Sequence, residues 1–253
     1  MVQPVFMSKL SPIAFPSPNH GPRRAGSRVD IMVLHYTGMT TTEEALQRLS
    51  DPEAEVSCHW LIDEDGTLYQ LVPEHRRAWH AGRGCWKGER DVNSRSIGIE
   101  LSNPGHEHGY RSFPEPQIAT LKRLMREIMD RHPIAPDGVI GHSDMAPGRK
   151  IDPGELFPWQ DLAKDGLSIW PNRDLVVQAP DTLPLREIQQ RLNGFGYDCP
   201  QSGVMDAATK TVLTEFQRRF RPQDITGNPD RGTIKTLHSL TRDLDLTPDA
   251  PAP

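Results

Sequence analysis

Val56-Ser-Cys-His-Trp-Leu-Ile-Asp63, Glu64-Asp65-Gly66 and Thr67-Leu-Tyr-Gln-Leu-Val72 form the most readable stretch of this sequence. Two runs rich in apolar, β-branched and aromatic residues flank a turn that ends in glycine, which predicts a β-hairpin. Runs of the same kind recur upstream in Asp30-Ile-Met-Val-Leu-His-Tyr36 and downstream in Ser96-Ile-Gly-Ile-Glu-Leu-Ser102 and Gly138-Val-Ile-Gly-His142. Elsewhere the apolar period lengthens. From Glu115 to Arg131, residues Ile118, Leu121, Leu124, Met125 and Ile128 fall at spacings of three and four, so they share one helical face that must cover a sheet. Thr41 to Leu49 predicts a second helix, with Glu43 and Glu44 in the first turn, where carboxylates favour the helix dipole. Strands mixed with helices indicate an α/β domain over residues 28–170, built as a central mixed β-sheet flanked by helices.

Beyond it, Pro171, Asn172, Pro180, Asp181 and Pro184 interrupt any periodic pattern, so residues 171–183 read as a linker. Residues 184–241 then predict a small C-terminal three-helix domain. Leu185, Ile188 and Leu192 belong to its first helix, which Gly194-Phe-Gly196 breaks. Asp206 is placed as the N-cap of a second helix carrying Val212, Leu213, Phe216 and Phe220, and Arg231 to Leu240 supplies the third. The chain ends are different in kind. Residues 1–27, with Pro4, Pro12, Pro16, Pro18 and Pro22, read as an irregular Pro-rich segment, and residues 242–253 as a disordered tail.

A chain of 253 residues suffices for one domain of moderate size and one small one. With 36% hydrophobic and 25% charged residues it has the composition of a soluble globular protein. A net charge of -5 argues against nucleic acid as a partner, because phosphate binding needs a basic field. No stretch approaches the ~18–20 apolar residues of a spanning helix, which excludes a transmembrane segment. Cys58, Cys85 and Cys199 are too few and too scattered for a disulfide framework or a CxxC metal knuckle. They read as small buried hydrophobes, with a Cys58–Cys85 bridge left open.

The chemistry centres on His35 at the end of the first strand, His142 closing the last, and Asp152 in the loop that follows. A catalytic zinc takes three protein ligands and keeps a fourth position open, and two imidazoles with a carboxylate meet that need. Strand ends can bring residues distant in sequence onto one rim of a sheet. Any one of ten histidines is ordinarily a surface or core residue, so the local setting matters: Leu34-His-Tyr-Thr37, Gly141-His-Ser-Asp144 and Gly148-Arg-Lys-Ile-Asp-Pro-Gly154. On the strand from Ser96, alternation sets Gly98, Glu100 and Ser102 on one face and Ile97, Ile99 and Leu101 on the other. Glu100 can thus point into a cleft, although a strand carboxylate is by default a solvent-facing one.

At these motifs, together with Trp79-His-Ala-Gly82 and Ile97-Gly-Ile-Glu-Leu101, the chain resembles the type 2 N-acetylmuramoyl-L-alanine amidases, whose fold is shared with peptidoglycan recognition proteins. The resemblance spans about Arg28 to Trp170. Leu185-Arg-Glu-Ile-Gln-Gln-Arg-Leu192, Gly194-Phe-Gly-Tyr197 and Thr214-Glu-Phe-Gln-Arg-Arg-Phe220 resemble peptidoglycan-binding repeats, which places the likeness among the two-domain, anhydromuropeptide-tolerant amidases of Gram-negative envelopes. What it implies is one zinc ion per chain on His35, His142 and Asp152, with no organic cofactor. Glu100 would be the general base that passes a proton to the leaving amine, and Lys150 the cation that stabilises the oxyanion. The bond cut joins the lactyl group of N-acetylmuramic acid, or its 1,6-anhydro form, to L-alanine.

Tyr36, Trp79, His80 and Asn103 are candidate substrate contacts, with a structural role in the core an equal reading for Trp79. His59 reads as structural or as a support behind a ligand. Asp144 either orients a ligand histidine through its second nitrogen or stabilises the turn after His142. The expected partner is peptidoglycan or a muropeptide, and the expected state a monomer. Two rivals share the motifs: a recognition protein without catalysis, and a zinc peptidase acting inside the stem peptide. Wall binding implies the periplasm, whereas the N-terminus has neither a secretory apolar core nor a lipoprotein-type cysteine, which as written leaves the chain in the cytoplasm unless a precursor was trimmed.

Overall fold

The computed structural model describes residues 10–243; residues 1–9 of the Pro-rich segment and residues 244–253 of the tail lie outside them. In chain order the elements are β1 (Ile13–Ala14), β2 (His20–Pro22), β3 (Ile31–Tyr36), α1 (Thr42–Ser50), β4 (Trp60–Ile62), β5 (Leu68–Gln70), β6 (Arg76–Ala78), α2 (Val92–Arg95), β7 (Ser96–Leu101), α3 (Gly105–His108), α4 (Glu115–Arg131), β8 (Val139–Gly141), α5 (His142–Met145), α6 (Trp159–Lys164), α7 (Arg173–Gln178), α8 (Leu185–Phe195), α9 (Ala207–Phe220) and α10 (Arg231–Leu240). The hairpin is present. Trp60 pairs with Gln70 and Ile62 with Leu68 in antiparallel register. Its turn needs Gly66, whose φ of 90° is a left-handed conformation that a side chain would strain.

The sheet has six strands in the order β1-β5-β4-β7-β3-β8. All neighbours except β4 and β5 are parallel, so the sheet is mixed, as expected. Parallel neighbours need crossovers, and these carry helices onto both faces. On one face α4 lays Leu121, Leu124, Met125 and Ile128 against Met32, Leu34, Ile97, Ile99 and Leu101. Each fully buried side chain of this size contributes about 1.5–3 kcal/mol. The opposite face is divided. Ala45, Leu46 and Leu49 of α1 cover Leu61 and Cys58, while Ile31, Val33 and Ile140 share a core with Ile188, Leu192, Phe216, Phe220 and Leu237 of the C-terminal helices.

Some expectations change. The N-terminal segment is not irregular throughout: β1 extends the sheet beside β5, and β2 pairs antiparallel with β6. The stretch between the two units contains α7, capped by the Asn172 side chain, which accepts from the Asp174 and Leu175 amides. Asn172 also exchanges hydrogen bonds with Ser239 of α10 at 3.1 and 3.2 Å, so this segment is packed and not a free tether. Asp206 caps α9 through the Thr209 amide. The three cysteines are buried and free, and among the described residues no helix is long and apolar enough to cross a membrane.

Candidate active site

Parallel register decides the site. His35 of β3 lies directly opposite Glu100 of β7, and Leu34 opposite Gly141 of β8, which delivers His142 one residue beyond the strand. Glu100, His35 and His142 therefore stand side by side at the carboxyl ends of three adjacent strands, where open α/β sheets place their ligand crevices. The loop after α5 brings Asp152 to them, anchored by the Ser143 amide donating to the Asp152 carbonyl at 2.9 Å. These residues line a cleft of about 600 Å³.

The hydrogen bonds behind the histidines fix their tautomers. Ser96 Oγ donates to the Val92 carbonyl at 2.7 Å, so it accepts from His80 Nε2 at 3.1 Å. That leaves His80 Nδ1 a lone pair, to which His35 Nε2 donates at 3.1 Å. His142 Nε2 faces the Ala81 carbonyl at 2.9 Å and donates to it. Both rings consequently turn an unprotonated Nδ1 inward, 3.0 Å apart and 3.0 and 3.1 Å from Asp152 Oδ2. Burial, then the facing His142 ring, push His35 down to about 4, which keeps it neutral. Three buried acceptors meeting without a proton between them repel one another, and a cation relieves that. Ligand atoms ~2.0–2.1 Å from a tetrahedral zinc stand roughly 3.3 Å apart, so the cluster fits the ion with little adjustment.

Glu100 shares the cleft, with its Oε2 buried and unpartnered among the described residues. Burial first, then the Asp152 charge, push its carboxyl well above the ordinary range, against the opposing pull of Lys150. Burial thus favours the protonated carboxyl, and its place in the cleft lets it exchange that proton with a bound water or amine. Lys150 and Trp79 also line the cleft. So does Tyr36, which donates to His106 Nδ1 at 3.0 Å and whose phenol burial and Asp152 push up to about 12.

Two expected contacts find other work. His80 reaches the cleft wall, but its ring is held behind His35 as the hydrogen-bond partner described above. Asn103 is buried outside the cleft lining, where its amide donates to the Arg111 carbonyl at 2.7 Å and accepts from Gly105 at 3.1 Å, fixing the loop after β7. His59 is buried, accepting from the Gly98 amide at 2.9 Å and lying 3.1 Å from the Arg23 guanidinium. Asp144 does not orient His142; it accepts from the Gly141 amide at 2.8 Å and thereby stabilises the turn. Sequence reasoning passed over Arg149, whose guanidinium donates to the Ala81 and Arg83 carbonyls at 2.7 and 2.5 Å and walls the cleft beside His142. Its place next to Lys150 was the available signal.

Comparison with known proteins agrees with this geometry. Residues 25–155 match the family described as N-acetylmuramoyl-L-alanine amidase, and residues 183–237 the family described as "Putative peptidoglycan binding domain". The chain is 36% identical over 234 residues to N-acetylmuramoyl-L-alanine amidase AmiD of Escherichia coli, covering 84% of this chain and 82% of that one. It is 32% identical over 162 residues to the 1,6-anhydro-N-acetylmuramyl-L-alanine amidase AmpD of Haemophilus influenzae, covering 57% of this chain and 86% of AmpD. Among solved structures, E. coli AmiD in complex with anhydro-N-acetylmuramic acid-L-Ala-D-gamma-Glu-L-Lys superposes with a TM-score of 0.76 at 32% identity, covering 87% of this chain and 92% of that one. AmpDh3 of Pseudomonas aeruginosa superposes with a TM-score of 0.79 at 28% identity, covering 96% and 98%. A mixed sheet with two imidazoles, two carboxylates and a lysine at its carboxyl rim, matched along most of its length by such relatives, places this chain in the N-acetylmuramoyl-L-alanine amidase family.

Proposed function

We propose that the protein hydrolyses the amide between N-acetylmuramic acid, or its 1,6-anhydro form, and the L-alanine of peptidoglycan or its fragments. It would act as a monomer, with one zinc ion on His35, His142 and Asp152. The observation that carries this reading is the convergence of three unprotonated acceptors beside a carboxyl with an unpartnered oxygen. Zinc, when bound, supplies Lewis acidity, polarising the scissile carbonyl and lowering the pKa of water toward ~7. Glu100 then takes the proton of the attacking water and returns it to the departing alanine nitrogen. Lys150 faces the charge that develops on the carbonyl oxygen. Tyr36 and Trp79 form cleft walls against sugar and peptide, and His80 holds the His35 ring in the tautomer that leaves Nδ1 free. Residues 28–170 form the catalytic domain and 184–241 the wall-binding one, with 171–183 joining them. The anhydromuropeptide in the AmiD complex supports the substrate assignment.

Product analysis on intact sacculi and on soluble anhydromuropeptides tests the reading directly. Mass spectrometry is expected to show free muramyl glycan and intact stem peptide, with activity lost on chelation and restored by zinc. Glu100→Ala should bind zinc normally and lose most turnover, on the order of 10²–10⁴-fold for a lost proton-transfer group. Lys150→Ala should lower kcat while metal content stays constant. L-alanine retained on the sugar would identify a stem peptidase instead, and binding without any released peptide a recognition protein.

A further inference from the structure

We propose that α9 is a positioning element of the metal centre: its consecutive Arg218 and Arg219 hold the junction of β8 and α5 that carries His142 and the loop that carries Asp152. This rests on the zinc-site reading given above. Successive helical residues project about 100° apart, so two neighbouring guanidiniums can reach two different segments. Arg219 Nη1 donates to Asp144 Oδ2 at 2.5 Å, and Nη2 to the Val139 carbonyl at 2.9 Å. The pair is sealed, with side chains 3% and 1% exposed, and the guanidinium lies 4.1 Å from the Trp159 ring centre. Tyr197, between α8 and α9, donates its hydroxyl to the other oxygen, Asp144 Oδ1, at 2.5 Å. Asp144 is thereby gripped from the C-terminal domain while it holds the Gly141 amide, the residue immediately before His142.

Arg218 makes the second grip. Its Nη1 donates to Glu155 Oε2 at 2.6 Å, three residues beyond Asp152, and its Nε to Glu215 at 2.9 Å. Glu155 in turn accepts from His106 Nε2 at 3.1 Å, and His106 Nδ1 accepts the Tyr36 hydroxyl at the cleft rim. The helix is itself immobilised, because Val212, Leu213, Phe216 and Phe220 are buried in the core shared with the sheet. A buried ion pair adds little stability over an apolar pair of equal volume; its distinctive contribution is direction. Here both directions end at the catalytic rim. The C-terminal domain therefore does more than tether: it sets the separation of the two ligand-bearing segments.

The test uses the full-length protein in its zinc and cobalt forms. Arg219→Met keeps the volume and removes the charge, while Tyr197→Phe removes one hydroxyl and leaves the Arg219 contact to hold Asp144. Both are expected to shift the cobalt d–d bands, to weaken zinc about tenfold in chelator competition, and to lower kcat with little change in KM. Arg218→Gln is expected to shift the cobalt bands as well, through the Asp152 loop, and to raise KM through Tyr36. Folded Arg219→Met and Tyr197→Phe proteins with wild-type bands, zinc affinity and kcat would overturn the proposal, and unchanged bands and KM in Arg218→Gln would remove that arm. Failure of the wild-type protein to bind zinc would overturn this proposal together with the metal-centre reading; normal zinc binding with silent variants would overturn this one alone.

Discussion

Gly98 carries a constraint that no side chain could. It lies between Ser96 and Glu100 on the cleft-side face of β7, and the His80 ring rests directly on it. A Cβ at that position would fall 2.4 Å from His80 Cγ and 2.7 Å from Nδ1. The ring cannot withdraw without leaving His35 or Ser96. In an ordinary strand, alanine in place of glycine stabilises by roughly 0.5–1 kcal/mol; here the sign should reverse. Gly98→Ala is expected to lower stability by about 1–3 kcal/mol, in line with overpacking of a tight site, and to weaken zinc because the His35 tautomer loses its support. Thermal unfolding and chelator competition read the two effects, and a variant as stable and as zinc-avid as the parent would refute the role. The alternation that aims Glu100 was legible in Ile97-Gly-Ile-Glu-Leu101. That Gly98 makes room for His80 was not, because the two residues meet only once β6 and α2 have folded over the strand.

At the scale of elements, legibility followed local signal. β3, β7 and α4 stand close to where their patterns put them, since each run is long enough to declare itself and each is buried, β3 and β7 on both faces and α4 along one. β1, β2 and β6 have only two or three residues each. They exist because a partner strand offers free backbone groups, a tertiary cause that leaves no periodicity to read. The helix α7 escaped notice for a related reason: flanking prolines masked six residues that are held by a cap and by α10. α4 gives a graded test. Leu124 is 1% exposed in the face packed on the sheet, whereas Ile118 lies only partly buried at its margin. Leu124→Ala should cost about 2–5 kcal/mol, the range for a cavity in a closed core, and Ile118→Ala clearly less. Urea denaturation measures both, and equal losses would show that the face is less differentiated than its packing suggests.

Across the whole molecule the two units depend on each other more than a proline-punctuated junction implies. Trp86, buried in the catalytic unit, packs edge-on against Phe195 and Tyr197 at ring separations of 5.9 and 5.3 Å. Phe216 and Phe220 share the same core with Val33 and Ile140. At about 1.5–3 kcal/mol per fully buried side chain, four such aromatics approach the ~5–15 kcal/mol that is the whole stability of a typical domain. Their loss cannot be absorbed locally. The face of the sheet that they cover is apolar and already occupied. A chain ending at Trp170 is therefore expected to bind an apolar dye and to melt well below the full-length protein, which should itself unfold in one cooperative transition. Two separate calorimetric transitions in the full chain, or a fragment that melts at the parent temperature without binding dye, would mean that the units fold independently and that the shared core contributes little to either.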